Sequence, residues 1–162
     1  GLYFFEDHFN KEIIKRNFDF YEPLTVHESS LSPCTHSIVA SAVGDKQKAY
    51  DLYLRTARLD LDDYNNEVAD GLHITSMAGT WLAIVQGFGG MRVKDNKLHF
   101  NPQIPEKWNA FAFNILFRSN QLNIKVEKHR TIISNIKGPA IELYLRKKLV
   151  RIESESQEEI ER

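Results

Sequence analysis

The chain has a single cysteine, Cys34, among 162 residues, so no internal disulfide can brace it. It has no charge excess: 21 Lys and Arg stand against 22 Asp and Glu, a net charge of -1. A nucleic-acid footprint needs a basic patch or stripe, and this balance argues against one. No apolar run approaches the roughly 18 residues of a membrane span. No charged segment followed by an apolar stretch opens the sequence as a signal peptide would. No internal repeat is found. These absences predict a cytoplasmic setting with no nucleic-acid and no membrane partner. What is present is a hydrophobic content of 42%, enough for a core in one domain or two small ones.

The first half carries helical periodicity. Phe5, Phe9, Ile13 and Ile14 recur at helical spacing and predict a helix stopped by Pro23. A second helix is predicted after Ser32, with Pro33 at the favoured first position, ending at Gly44. Asp45 is the expected cap of a third, with Ala49, Leu52, Tyr53 and Ala57 on one stripe. A fourth runs from about Leu72 to Gln86 and stops at Gly87. Met77, Ala78, Trp81, Leu82, Ile84 and Val85 leave it almost no polar face, which predicts burial on most sides. Ala78, Gly79 and Thr80 would let neighbouring helices approach closely.

The period then changes to that of strands. Phe111, Phe113, Ile115 and Phe117 alternate with Ala112, Asn114, Leu116 and Arg118. Ser119-Asn120 is the expected tight connection into Leu122, Ile124 and Val126. Further strands fit Leu98–Phe100, Thr131–Ile136, Ile141–Leu145 and Leu149–Ile152. Helices followed by strands imply an all-α region and an all-β region, with Gly87–Gly90 as the natural boundary. The expected division is residues 1–90 helical, 91–153 β, and 154–162 a charged, frayed tail.

Two polar motifs precede predicted helices: His27-Glu28-Ser29-Ser30-Leu31-Ser32-Pro33 and Asp70-Gly71-Leu72-His73-Ile74-Thr75-Ser76. Each sets a His and hydroxyls at a helix start, where unpaired N–H groups and the positive dipole end attract an anion. Together they suggest a shared pocket for a phosphate-sized anion. Ordinary capping by Ser32 and Asp70 is the plainer reading of either motif alone.

Longer runs extend the pattern. Asn17-Phe-Asp-Phe-Tyr-Glu-Pro-Leu-Thr-Val-His-Glu-Ser-Ser-Leu-Ser-Pro33 resembles the late catalytic domain of glycoside hydrolase family 65, the family of maltose, trehalose and kojibiose phosphorylases. Ala57-Arg-Leu-Asp-Leu-Asp-Asp-Tyr-Asn-Asn66, Gly71-Leu-His-Ile-Thr-Ser-Met-Ala-Gly-Thr-Trp81 and Gly87-Phe-Gly-Gly-Met-Arg92 are similar to it as well. Gly1-Leu-Tyr-Phe-Phe5 is most similar to the maltose phosphorylase branch. Lys97-Leu-His-Phe-Asn-Pro-Gln-Ile-Pro-Glu-Lys-Trp108 resembles the link into that family's C-terminal β-domain.

The resemblance implies the last helices of an (α/α)6 barrel followed by a small antiparallel β-sandwich, cut from a longer enzyme. It implies phosphorolysis of an α-glucoside, with inorganic phosphate as co-substrate and no cofactor. Residue by residue it places a phosphate site at His27, Ser29, Ser30, Gly71 and His73. It places no catalytic residue here, since the general acid, a Glu, would lie upstream with a phosphate-contacting Lys and most sugar-binding residues. Implied partners are the disaccharide, phosphate and the missing N-terminal part, in a homo-oligomer. Trehalose, kojibiose or nigerose as substrate, or a non-catalytic carbohydrate- or partner-binding module, are the alternatives.

Other residues take plainer roles. Glu28, flanked by His27 and two serines, reads as structural rather than as a general base. Asp60, Asp62 and Asp63 fail a calcium-loop pattern, because Tyr64 sits where a ligand is needed and no glycine follows. A helix-end or inter-helix hydrogen-bonding role fits them better. His27, His36 and His73 lack zinc-ligand spacing, so no metal is expected. Trp81 and Trp108 are expected in the core, and His8, His99 and His129 carry no context.

Overall fold

A computed structural model describes residues 1–64 and 66–161. Asn65, inside the 57–66 run, and Arg162, the last residue of the expected tail, lie outside them. The chain divides into two compact units, Gly1–Gly87 and Phe88–Arg162.

The first unit holds α1 (Lys11–Tyr21), α2 (Ser32–Val43), α3 (Lys46–Ala57), a four-residue α4 (Leu59–Asp62) and α5 (Ile74–Leu82). Short 3-10 turns occupy Glu6–His8, Glu22–Leu24 and Val68–Asp70, and α5 runs on as a π-helical segment, Ala83–Phe88. Helix α1 begins later than the Phe5 periodicity suggests. Asn10 fixes the start, its side chain accepting the Ile13 N–H at 2.9 Å, which satisfies one of the orphan donors of the first turn.

Helix α2 is the centre of the unit, with Ile38, Val39, Ala40 and Val43 buried. Gly44 ends it at φ 95°, donating its N–H to the Ala40 and Ser41 carbonyls at 3.0 and 3.1 Å, the left-handed stop that glycine adopts without strain. Asp45 then caps α3 by accepting the Lys48 N–H at 3.0 Å. Across the pair, buried Ser37 donates to the Ala49 carbonyl at 2.8 Å.

Two expected caps are not made. Position Leu31 precedes α2 with no side-chain cap bond, and Ser32 is already helical. Asp70 closes the turn Val68–Asp70, while His73 stands before α5 without a side-chain cap bond. The side chains of Ser32 and His73 bond to other partners, described below.

Helix α5 also differs from the expected all-round burial. Ser76 and Gly79 face inward, whereas Ile74, Met77, Ala78 and Trp81 are exposed. Those four recur at i, i+3, i+4 and i+7, so the apolar stripe of the helix faces away from its neighbours. Small residues are on the covered face because α2 and α3 approach closely there. Trp81 is therefore not a core residue.

The second unit contains β1 (Arg92–Lys94), β2 (Lys97–Phe100), β3 (Ala110–Phe117), β4 (Asn120–Glu127), β5 (Arg130–Lys137), β6 (Ile141–Leu145), β7 (Lys148–Ile152) and β8 (Gln157–Glu161). They form two four-stranded sheets, ordered β1-β2-β6-β7 and β3-β4-β5-β8. All pairings are antiparallel but one: β2 and β6 run parallel, with His99 opposite Tyr144. Strand alternation buries Leu98, Phe100, Leu143, Leu145, Val150 and Ile152 from one sheet. It buries Phe113, Ile115, Leu122, Ile124, Val126 and Ile133 from the other. The rings of Phe100 and Phe113, one from each sheet, lie 6.4 Å apart, so the unit is a small β-sandwich.

Two hairpins turn on residue pairs with positive φ, Asp95-Asn96 (49° and 62°) and Arg146-Lys147 (50° and 69°), whose twist matches that of the flanking strands. The β3–β4 turn is Arg118-Ser119, one residue earlier than the sequence suggests, because Asn120 opens β4. Its buried amide donates to Asn135 Oδ1 at 3.2 Å and to the Pro139 carbonyl at 2.6 Å.

The tail expected to fray instead supplies β8. Arg130 through Ser134 pair in register with Glu161 through Gln157, and Arg130 reaches Glu159 at 2.7 Å. Main-chain pairing holds this strand, and its four glutamate and glutamine side chains make a charged, polar edge. That is why hydropathy gave no sign of it. The three-residue β1 is equally silent in the sequence.

Candidate phosphate-binding site

His27 precedes α2 on a strained backbone, φ 58°. Its ring is buried. Nε2 lies 3.4 Å from Glu22 Oε1 and Nδ1 lies 2.8 Å from Ser32 Oγ. In the neutral ring that donates Nε2–H to the carboxylate, Nδ1 accepts from the Ser32 hydroxyl. Burial, with the Arg55 and Lys48 charges, lowers the His27 pKa against the opposing pull of Glu22. Glu22, itself buried, is paired with Lys48 at 3.2 Å. The ring meets His36 edge to face at 4.7 Å. Both ring nitrogens of His27 are thus committed to holding the loop, and Ser32 serves that bond instead of a cap.

The hydroxyl-bearing residues are more open. Ser29 is exposed; its Oγ accepts the Leu31 N–H at 3.3 Å and its carbonyl accepts the Ser32 N–H at 3.1 Å. Ser30 is half-buried beside it.

The second motif is organised by acids. Gly71 is exposed at φ 124°, a conformation that favours glycine, and donates its N–H to the Val68 carbonyl at 3.2 Å. His73 donates its main-chain N–H to Asp60 Oδ2 at 3.0 Å and its Nδ1–H to Asp60 Oδ1 at 2.6 Å. Its Nε2 faces Glu67 Oε2 at 3.3 Å. The Asp60 hydrogen bond, followed by the Asp60 and Glu67 charges, raises the His73 pKa, and the same bond lowers that of Asp60.

One stretch of chain holds both motifs. Arg55 donates to the His27 carbonyl at 2.9 Å. The Thr56 carbonyl accepts from Ser76 Oγ at 3.1 Å, and Asp60 clamps His73. Six consecutive residues at the end of α3 and the start of α4 therefore anchor the loop before α2 and the start of α5. The first motif offers two serine hydroxyls and the second an imidazole of raised pKa, donor types that suit an oxyanion.

Residues 1–82 match the family described as glycosyl hydrolase family 65 central catalytic domain, and residues 91–152 match the family 65 C-terminal domain. The chain belongs to glycosyl hydrolase family 65. It is 50% identical over 143 residues to a maltose phosphorylase from Bacillus subtilis (strain 168), covering 88% of this chain and 19% of that protein. It is 48% identical over 145 residues to an alpha,alpha-trehalose phosphorylase from Thermoanaerobacter brockii, covering 90% of this chain and 19% of that protein. A solved chain from the human microbiome, provisionally named a kojibiose phosphorylase, superposes with a TM-score of 0.91 at 37% identity. That match covers 99% of this chain and 24% of the other. This family 65 chain thus spans about a fifth of the length of the curated relatives.

Within the family 65 chain, sequence reasoning did not select Glu22, Arg55 and Glu67. Asp60 was visible only as part of an acidic run, and its inter-helix hydrogen bond is the plainer role expected for it. Glu22, His27 and His36 bring one ligand atom each within 4.8 Å of one another. Lys48 pairs with Glu22 and Ser32 with His27, while the Nδ1 of His36 is buried without a hydrogen-bond partner among the described residues. Among the described residues no helix is long and apolar enough to cross a membrane.

Proposed function

We propose that this chain is part of a glycoside phosphorylase that cleaves an α-glucoside, maltose in the first instance, with inorganic phosphate. The two relatives at about half identity bear the names maltose and trehalose phosphorylase, which supports the reaction class. The observation that carries the reading is the shared anchoring of both motifs by Arg55, Thr56 and Asp60.

In this reading Ser29, Ser30 and His73 hold the phosphate. His27 braces the loop that carries the serines, and Gly71 gives the backbone its approach to His73. A phosphate oxygen attacks the anomeric carbon from the face opposite the glycosidic bond. That bond breaks, and a carboxylic acid from outside this chain protonates the leaving oxygen. The products are β-glucose 1-phosphate and glucose. Phosphate is the nucleophile, so no protein base is needed, and the site requires no cofactor. The exposed stripe of α5 takes the neighbouring helices of an (α/α)6 barrel.

The test is made in the intact enzyme that carries this chain. Ser29→Ala and His73→Ala each raise the KM for phosphate at least tenfold, with a smaller change for maltose. Glucose release at full rate without phosphate overturns the reading.

A further inference from the structure

The cluster of Glu22, His27 and His36 draws on three parts of the helical unit: the turn after α1, the loop before α2, and α2 itself. It is enclosed, with the side chains of Glu22 and His27 only 8% and 6% exposed. Oε1 of Glu22 and Nε2 of His27 are 3.4 Å apart. That is long for a hydrogen bond. It matches the edge of about 3.3–3.4 Å in a tetrahedron whose bonds to a zinc ion are about 2.0–2.1 Å. One ring nitrogen of His36 completes the triangle, within 4.8 Å of the other two ligand atoms. His36 Nδ1 is buried with no hydrogen-bond partner among the described residues, and a buried polar atom left unpaired needs a physical reason.

We propose that Glu22 Oε1, His27 Nε2 and a ring nitrogen of His36 ligate one zinc ion, with a water in the fourth position. Two imidazoles and one carboxylate are a donor set that zinc takes, whereas calcium and magnesium select oxygen ligands. The outward atoms are already supported. Glu22 Oε2 faces Lys48 Nζ at 3.2 Å, which leaves Oε1 for the ion. His27 Nδ1 lies 2.8 Å from Ser32 Oγ. With zinc on Nε2 the imidazole proton moves to Nδ1 and is donated to that hydroxyl, the outer bond that metal-ligating histidines commonly make. The ion takes the place of the Nε2 proton between ring and carboxylate, and the imidazole stays neutral. It pins the turn after α1 and the helix α2 to the loop that carries Ser29 and Ser30. His73, the third histidine weighed in the sequence, has no part in the set, being held by Asp60. Histidine spacing hid the site because its third member is Glu22, before both rings in the chain.

The experiment is a titration of the metal-free 162-residue chain with zinc chloride, in a buffer without phosphate. Competition with a coloured chelator reads the affinity, and nitrogen-15 spectra of the histidine side chains read the place. One ion binds per chain, and the ring signals of His27 and His36 shift together. Zinc raises the thermal midpoint, and the same concentration of calcium does not. His36→Gln binds zinc at least about tenfold more weakly and loses the rise in midpoint. His129→Gln, at an exposed position in the β4–β5 turn, binds as the wild type does. Equal zinc affinity in a folded His36→Gln overturns the site. Where that variant fails to fold, the wild-type spectra decide alone. Zinc shifts absent from His27 and His36, present at only one of them, or confined to His8, His73, His99 or His129 overturn the site.

Discussion

A Cβ built on Gly79 of α5 would lie 2.9 Å from both Cβ and Sγ of Cys34 in α2. Neither atom can give way, since Cys34 Cβ is fixed to its own backbone and the thiol is buried. Alanine at a helical glycine ordinarily gains about 1 kcal/mol, while overpacking a tight contact costs about 1–3 kcal/mol. The contact is well inside van der Waals range, so overpacking wins. Gly79→Ala is expected to lose about 1–2 kcal/mol in urea denaturation. A rise in stability would show that α5 and α2 separate freely.

The serines of the first motif should behave differently from one another. Ser32→Ala leaves the buried His27 Nδ1 without its donor, at a cost of about 1–2 kcal/mol. Ser29 is exposed, so Ser29→Ala should change stability by under about 0.5 kcal/mol while weakening phosphate binding. Equal stability losses in the two variants would place Ser29 in the scaffold rather than the site.

Acid should loosen the helical unit through His27 and His36. Burial lowers both pKa values below the ordinary 6.5, and the neighbouring His27 lowers that of His36 further. Below pH 6.5 the unfolded chain binds protons that these folded rings refuse, so stability falls as pH drops. His73 acts in the opposite sense. Its pKa is raised, so its pairing with Asp60 and Glu67 contributes fully below pH 6.5 and is lost as pH climbs through the raised value. Urea midpoints between pH 7 and pH 5 should fall, and more shallowly in His36→Gln. A midpoint independent of pH would refute the assignment.

The chain by itself should release no glucose from maltose, trehalose or kojibiose in the presence of phosphate. The proposed acid lies outside it, and loss of a general acid alone costs on the order of a hundredfold or more. Turnover near that of an intact phosphorylase would require the acid to lie among these residues.

The outward stripe of Ile74, Met77 and Trp81 should drive association. Sedimentation at high concentration should show self-association, and a hydrophobic dye should bind. Met77→Lys with Trp81→Lys should abolish both. A strictly monomeric wild type that ignores the dye would count against the idea.

Elements with strong local signals were legible in the sequence. The Gly44 stop of α2 and the Asp45 cap lie where turn chemistry puts them, and the start of α2 and the alternation of β3 through β7 match to within about one residue. The missed caps have one cause, competition from side chains outside the helix turn. Ser32 and the residues around Asp70 looked like caps because capping is local. The actual bonds of Ser32 to His27 and of His73 to Asp60 depend on packing that no window of sequence displays. Strand β8 escaped because main-chain pairing needs no apolar pattern. For the proposed site, the family resemblance supplied the five positions, but not the acids that organise the second histidine.

The parallel seam of the sandwich has a kinetic meaning. Four hairpins, β1–β2, β3–β4, β4–β5 and β6–β7, close through two-residue turns and can form on their own. The join between β2 and β6 cannot, because it brings together residues 45 apart, as in the ion pair of Lys97 with Glu142. Closing so long a loop adds little to the equilibrium cost, which grows only with the logarithm of length, but it delays the event. The stacked rings of His99 and Tyr144, 4.6 Å apart across that seam, therefore mark the moment the first sheet is completed, while contacts inside the hairpins record only local order.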